Sequence, residues 1–262
     1  MRILVIGDVF GRVGRRVLRQ GLNNIVTSAK IDFVVANGEN LAGGSGVTHD
    51  TLEEVFGLGV DVITSGNHIW DKKESLKLLE TEKRLLRPAN YPAEAPGVGG
   101  RTYEARNGRT IAVLNLLGRV FMDSVDCPFH TADNQIHKLK NESKIILVDM
   151  HAEATSEKQA MGHYLDGRVS AIFGTHTHVQ TSDAYIMPRS TAYITDVGMT
   201  GPIHSIIGVR PEIILRRFVK KIPERFQEAS GPGQFNGAVI EVNDDSGLAK
   251  SIKSVVISYE EQ

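Results

Sequence analysis

Val169-Ser170-Ala171-Ile172-Phe173-Gly174-Thr175-His176-Thr177-His178 is the stretch that decides how this chain is read. Its first five residues form an apolar run of the length of a buried strand. Gly174 permits a sharp turn where that strand stops. Two histidines at i and i+2 follow. A tight turn, unlike a strand, can aim both imidazoles into one cleft, and paired imidazoles suit zinc, iron or manganese. Histidines at strand ends also serve structural roles, so the metal reading requires further ligands at equivalent strand ends.

Such ends recur on the N-terminal side. Ile3-Leu4-Val5-Ile6 runs into Gly7-Asp8, and Phe33-Val34-Val35-Ala36 into Asn37-Gly38-Glu39-Asn40. Val60-Asp61-Val62-Ile63-Thr64 leads to Gly66-Asn67-His68, and the apolar run over 144–149 leads to His151. Helical periods lie between them. One spans Arg15 to Ala29, one is capped by Thr48 and reaches Leu58, and others cover Ser75 to Thr81 and Glu157 to Leu165. Strand-helix alternation predicts a mainly parallel sheet with helices on its faces. Asn107-Gly108 predicts a hairpin between strands over 102–106 and 109–114. Strands over 184–187, 191–195, 237–242 and 251–258 predict a second, more antiparallel sheet. No linker, repeat or low-complexity tract interrupts this pattern, and a single domain over 1–262 is expected.

Composition narrows the class. The 262 residues are 41% hydrophobic and 23% charged, with a formal net charge of −1. No global field draws in long nucleic acid or an anionic membrane. The single cysteine, Cys127, excludes an intrachain disulfide and fits a reducing compartment. No apolar run approaches the roughly 20 residues that span a bilayer, and a cytoplasmic protein is expected.

Asp8, Glu39, Asn40, Asn67, His151, His176 and His178 therefore all follow strands. In open α/β sheets the carboxyl ends of strands line the ligand crevice. Taken singly, Asp8 could cap a helix, Asn40 and Asn67 could serve turns, and His151 could be a satisfied buried polar group. Seven nitrogen and oxygen ligands would crowd one metal, whereas two metals sharing a bridging carboxylate accommodate them.

Gly7-Asp8, Gly38-Glu39-Asn40, Gly66-Asn67-His68, His151 and Gly174-Thr175-His176-Thr177-His178 resemble, in order, the motifs of the calcineurin-like metallophosphoesterases. The resemblance implies a two-sheet β-sandwich flanked by helices, of α/β class, with a dinuclear centre that hydrolyses phosphate esters. Three departures narrow the branch. Phe10 stands where the family usually has histidine, Glu39 where it has a bridging aspartate, and Asn67-His68-Ile69-Trp70-Asp71 is a stretched third motif. With Thr195-Asp196-Val197-Gly198-Met199-Thr200-Gly201-Pro202, these features resemble the bacterial YmdB-type branch. That branch implies phosphodiesterase activity on 2′,3′-cyclic nucleotides.

The expected ligand sets are Asp8, Glu39, Asn40 and His178 for one metal, and Glu39, Asn67, His151 and His176 for the other. Glu39 bridges, and Asn40 replaces the histidine missing at Phe10. The resemblance implies that a hydroxide held between the metals would attack phosphorus. By resemblance and position, His68 is the general acid for the leaving alkoxide, oriented by Asp71. A thiolate-free ligand set favours two ions of iron or manganese and is compatible with zinc. The expected partner is a small phosphodiester, with neither long nucleic acid nor membrane, and a homo-oligomer is left open. A monoesterase, a nuclease and a degenerate binding scaffold are the competing readings. The arginines of Gly11-Arg12-Val13-Gly14-Arg15-Arg16 are expected at a solvated helix start. Gly43-Gly44-Ser45-Gly46 reads as a flexible rim or a plain connection. Among the remaining histidines, His204 is the one expected to line the pocket.

Overall fold

The computed structural model describes residues 1–261. The N-terminal alternation is realised as β1 (Arg2–Ile6), β2 (Asp8–Val9), α1 (Gly11–Ala29), β3 (Phe33–Asn37), α2 (His49–Gly57), β4 (Val62–Thr64) and α3 (Lys73–Thr81). It continues with β5 (Gly100–Glu104), β6 (Thr110–Leu117), α4 (Pro128–Leu139), β7 (Ile145–His151), α5 (Thr155–Leu165) and β8 (Ala171–Thr175). The C-terminal part contains β9 (Tyr185–Ile186), β10 (Ala192–Ile194), β11 (Met199–Pro202), α6 (Pro211–Lys220), β12 (Gly233–Val242) and β13 (Ala249–Tyr259).

These strands form two sheets. One has the order β2-β11-β12-β1-β3-β4, with β13 also paired to β12; the other runs β5-β6-β7-β8-β10-β9. The tail strands do not help to form the second sheet, as the sequence had suggested. β12 pairs antiparallel with β1, Ile6 lying opposite Gly237, and carries β13 with it. The second sheet is parallel through β6, β7, β8 and β10, and antiparallel only at its edges. Alternation marks a strand as half-buried but does not name its partner.

Strand parity assigns each face. Leu4, Ile6, Val34, Ala36 and Ile63 meet Val17, Leu18 and Leu22 of α1, Leu52 of α2 and Leu78 of α3. Leu114, Ile146, Val148 and Ile172 meet Ile136 of α4 and Met161 and Leu165 of α5. Between the sheets lie Ile3, Val5, Phe33, Val35, Ile111, Val113, Ile145, Leu147, Ala171 and Phe173. The architecture is thus helix, sheet, sheet, helix, as expected for the sandwich.

The inter-sheet layer positions the site. Continued by two residues along each strand, its apolar parity reaches Asn37 on β3, Asn115 on β6, Asp149 and His151 on β7, and Thr175 on β8, all buried. The core therefore turns from apolar to polar at the carboxyl ends of the strands.

Helix α1 starts four residues before Arg15, because Gly11 adopts φ +56 and turns the chain directly after extended Phe10. The arginines are consequently not all solvated. Arg15 donates to Glu54 at 2.7 Å, and Arg16 donates to the carbonyl of Gly231; only Arg12 is exposed. Helices α4 and α6 carry no strand-end motif, yet each begins with proline in its first turn, a local start signal.

Candidate metal centre

Glu39, His151 and His176 each present a ligand atom within 4.8 Å of the others. His151 Nε2 stands 3.1 Å from Glu39 Oε1 and 3.0 Å from His176 Nδ1. Asp8 joins them from the first strand. Its Oδ1 lies 3.9 Å from His151 Nδ1 and 3.7 Å from His178 Nε2, and its Oδ2 accepts the backbone N–H of His176 at 3.2 Å. Gly66 backs onto this cluster. A Cβ there would fall 2.1 Å from His151 Nε2 and 2.4 Å from Glu39 Oε2, so this glycine is required by close approach.

The oxygen donors carry the most telling detail. Asp8 Oδ1, Asn40 Oδ1 and Asn67 Oδ1 are buried without a hydrogen-bond partner. Leaving such an oxygen unpaired costs about 1–3 kcal/mol. Asn40 uses its amide nitrogen on the Gly44 carbonyl at 3.0 Å, which leaves its oxygen free. The Asp8 oxygen faces His151 and His178, and the other two belong to the residues that adjoin Glu39 and His68 in sequence; such unpartnered oxygens fit a cation.

A buried network orients His151. Its Nδ1 lies 2.8 Å from Thr175 Oγ1, and that hydroxyl donates to Asp149 Oδ1 at 2.7 Å. Thr175 therefore accepts the Nδ1 proton, and Nε2 faces Glu39. Asp149 also accepts from Thr64 and from Asn37 Nδ2, while Asn37 Oδ1 holds the backbone N–H of Glu39 at 3.1 Å. On His176, Nε2 meets Glu153 Oε2 at 3.3 Å, which leaves Nδ1 for the cluster. Carboxylates behind histidines are the usual way to fix a metal ligand's tautomer.

The electrostatics agree with a cation site. Burial pushes the Asp8 carboxyl well above its usual range, and neighbouring Asp196, Glu39 and Asp149 push the same way. Burial would also raise Glu39, but contact with His151 outweighs it and brings the value down to about 2. His151, despite burial, is raised to about 9 by Glu39 and Asp8. His176 is lowered to about 3 by burial and by the charge of His151, and burial lowers His178. Four buried carboxylates share a small volume, and positive charge there relieves their repulsion.

Phe10 has become a packing residue. It is buried with Met199, Val209 and Ile214, and its ring meets His178 edge-on at 5.8 Å. Gly44 and Gly208, at φ +89 and +100, press against its ring. Thus Gly43-Gly44-Ser45-Gly46 is a packed rim: Gly46 N–H bonds the Glu39 carbonyl, and Ser45 bonds Asp71. His68 stands at this rim with its side chain 42% exposed. Its Nδ1 lies 2.9 Å from Asp71 Oδ2, and its backbone N–H donates to Glu39 Oε2 at 3.1 Å. His204 is exposed and does not line the cavity of about 410 Å³ beside His178; its neighbours Ile203 and Ser205 do. Sequence reasoning missed Asp149, Thr175, Asn37 and Glu153. Asp149 had a signal, being a carboxylate inside an apolar strand and two residues before His151.

The two-sheet sandwich with this strand-end cluster is of the metallophosphoesterase type. The chain belongs to the YmdB-like protein family, whose model matches residues 4–255. It is 46% identical over 258 residues to the 2′,3′-cyclic-nucleotide 2′-phosphodiesterase of Bacillus subtilis (strain 168), covering 98% of this chain and 97% of that protein. A crystal structure of a hypothetical protein from Thermus thermophilus superposes with TM-score 0.93 at 42% identity and full coverage of both chains. A crystal structure of a Mycoplasma pneumoniae phosphatase gives TM-score 0.93 at 35% identity, covering all of this chain and 94% of that one. The family is one of phosphatases and phosphodiesterases.

Proposed function

We propose that this chain is a dinuclear-metal phosphodiesterase acting on small phosphodiesters, foremost 2′,3′-cyclic nucleotides. The observation that carries the reading is the trio of unpartnered buried oxygens, on Asp8, Asn40 and Asn67, on the same strand ends as the Glu39–His151–His176 cluster. Asp8, Glu39, Asn40 and His178 would hold one cation, and Glu39, Asn67, His151 and His176 the other. Two cations so held would neutralise an anionic diester and bring the pKa of water toward neutrality. The nitrogen-oxygen donor set favours iron or manganese and is compatible with zinc.

The chain's own residues supply the rest. Glu39 is held by the His68 backbone and by Asn37, so its carboxylate is aimed before substrate arrives. His68 gives a proton to the leaving ribose oxygen. Asp71 occupies its Nδ1 side, leaving Nε2 as the nitrogen available for transfer. Near-neutral charge disfavours long nucleic acid as substrate. No helix among the described residues is long and apolar enough to cross a membrane, and we place the enzyme in the cytoplasm as one domain.

Elemental analysis of the purified protein, joined to a panel of phosphoesters, tests the reading. Two equivalents of transition metal and preferred turnover of a 2′,3′-cyclic nucleotide are expected. Preference for a monoester would shift the substrate class, and a metal-free protein without turnover would favour a binding role.

A further inference from the structure

Lys158, on the inner side of α5, is almost wholly buried, and none of the proposed chemistry uses it. Its Nζ donates to Asp196 Oδ2 at 2.7 Å and to Thr177 Oγ1 at 3.0 Å. Thr177 lies between the two histidines of the turn. Its backbone N–H and its hydroxyl both donate to the same Asp196 oxygen. The other Asp196 oxygen accepts the Gly198 N–H at 2.7 Å. Gly174 makes room for this arrangement: a Cβ there would fall 2.8 Å from Lys158 Cδ and 1.8 Å from the Thr195 carbonyl oxygen.

The turn needs such support. His176 and His178 adopt φ +93 and +67, left-handed values that side chains rarely hold unless their surroundings fix them. Backbone bonds tie the turn to the Asp196 segment at both ends, Val197 N–H to Gly174 and Met199 N–H to His178. Asp196 grips the middle through Thr177. Without a cation beside it, Asp196 would be a buried unpaired carboxylate close to Asp8, whose own charge it already opposes. Buried charges persist when paired and hydrogen-bonded.

We propose that Lys158 is a positioning residue. Through Asp196 and Thr177 it locks the left-handed His176-Thr177-His178 turn, so that both imidazoles are presented to metal before metal arrives. It touches neither substrate nor ligand atoms. The inference rests on the metal centre proposed above.

The test uses full-length protein stripped with chelator and titrated with Mn²⁺, with free Mn²⁺ read by electron paramagnetic resonance. Lys158→Met keeps the length of the stem and removes the charge. Thr177→Val keeps the shape and the backbone N–H and removes only the hydroxyl, so it serves even if Lys158→Met does not fold. Orienting residues behind metal ligands are typically worth about 10–100-fold in metal affinity. Lys158→Met should lose affinity in that range, and Thr177→Val should lose several-fold. At saturating Mn²⁺ the KM for a p-nitrophenyl diester should remain that of the wild type. A purely structural role would lower only the melting temperature. Folded variants with wild-type Mn²⁺ affinity overturn this inference alone. Wild-type protein that takes up no Mn²⁺ overturns it together with the proposed function.

Discussion

His151 and His178 both face Asp8, yet they are held in different ways. His151 is fully buried, and its Nδ1 enters a chain of Thr175, Asp149, Thr64 and Asn37, all buried at strand ends. His178 hands its Nδ1 to the carbonyl of Ile207, a residue 53% exposed in the loop that follows β11, and rests on the edge of Phe10. One half of the site extends the sandwich core; in the other the backbone of the turn is tied to the Asp196 segment, but the His178 imidazole itself leans on a rim loop and apolar packing. Elements with few buried polar ties open more readily than core strands. The cation on the His151 side should therefore bind more tightly, and the one on the His178 side should be lost first on chelation.

In the proposed centre Glu39 belongs to both halves, so its removal tests the comparison most severely. Glu39→Ala should release both cations and reduce turnover to background, as read by elemental analysis and assay on the same sample. Retention of one full equivalent would mean that the halves are independent and that Glu39 does not bridge them.

His68 belongs to neither half. His68→Ala should leave metal content unchanged and lose about 10²–10⁴-fold on a cyclic nucleotide, whose ribose oxygen needs a proton to leave. On a p-nitrophenyl diester the loss should be much smaller. Equal losses on both substrates would move His68 from the leaving group to phosphate binding, and loss of metal would make it a ligand.

Two milder substitutions address each half separately. Asp149→Asn should weaken the tighter cation by about 10–100-fold, since it disturbs the acceptor that orients the Thr175 hydroxyl behind His151. Phe10→Leu should cost about 1 kcal/mol of stability and weaken only the looser cation. Metal titrations that showed the reverse pattern would exchange the two halves.

The smallest effect concerns the stripped protein and pH. The His151 value is raised from 6.5 to about 9, so its contribution is complete below pH 6.5 and is lost as pH rises through about 9. Asp8, pushed upward by burial, has the same sign, because the unfolded chain releases its proton earlier. His176, lowered to about 3, acts at the other end: acidification below 6.5 favours the unfolded chain. The melting temperature of stripped protein should thus fall as pH rises from 6.5 through 9. Added Mn²⁺ should flatten this alkaline limb. A melting temperature that does not fall over this range would show that Glu39 and Asp8 do not hold the charge of His151 in the stripped protein.

Much of this strand-end cluster was legible in the chain alone. An acid, amide or histidine at the end of an apolar run, in most cases just after a glycine, is a local pattern, so Asp8, Glu39, Asn40, Asn67, His68, His176 and His178, and His151 without a glycine, could be singled out as candidates without knowing which strands pair. The helices over α1, α2, α3 and α5 were equally local, and Thr48 does cap α2 through a reciprocal bond with Thr51. Tertiary structure alone decided which sheet received β12 and β13, that Phe10 would be enclosed by Gly44 and Gly208, and that Lys158 would meet Asp196. Periodicity records whether a side chain is buried, because burial repeats along one element. It does not record what the side chain is buried against, because Lys158 and Asp196 lie 38 residues apart and only the packing of α5 beneath the histidine turn brings them together.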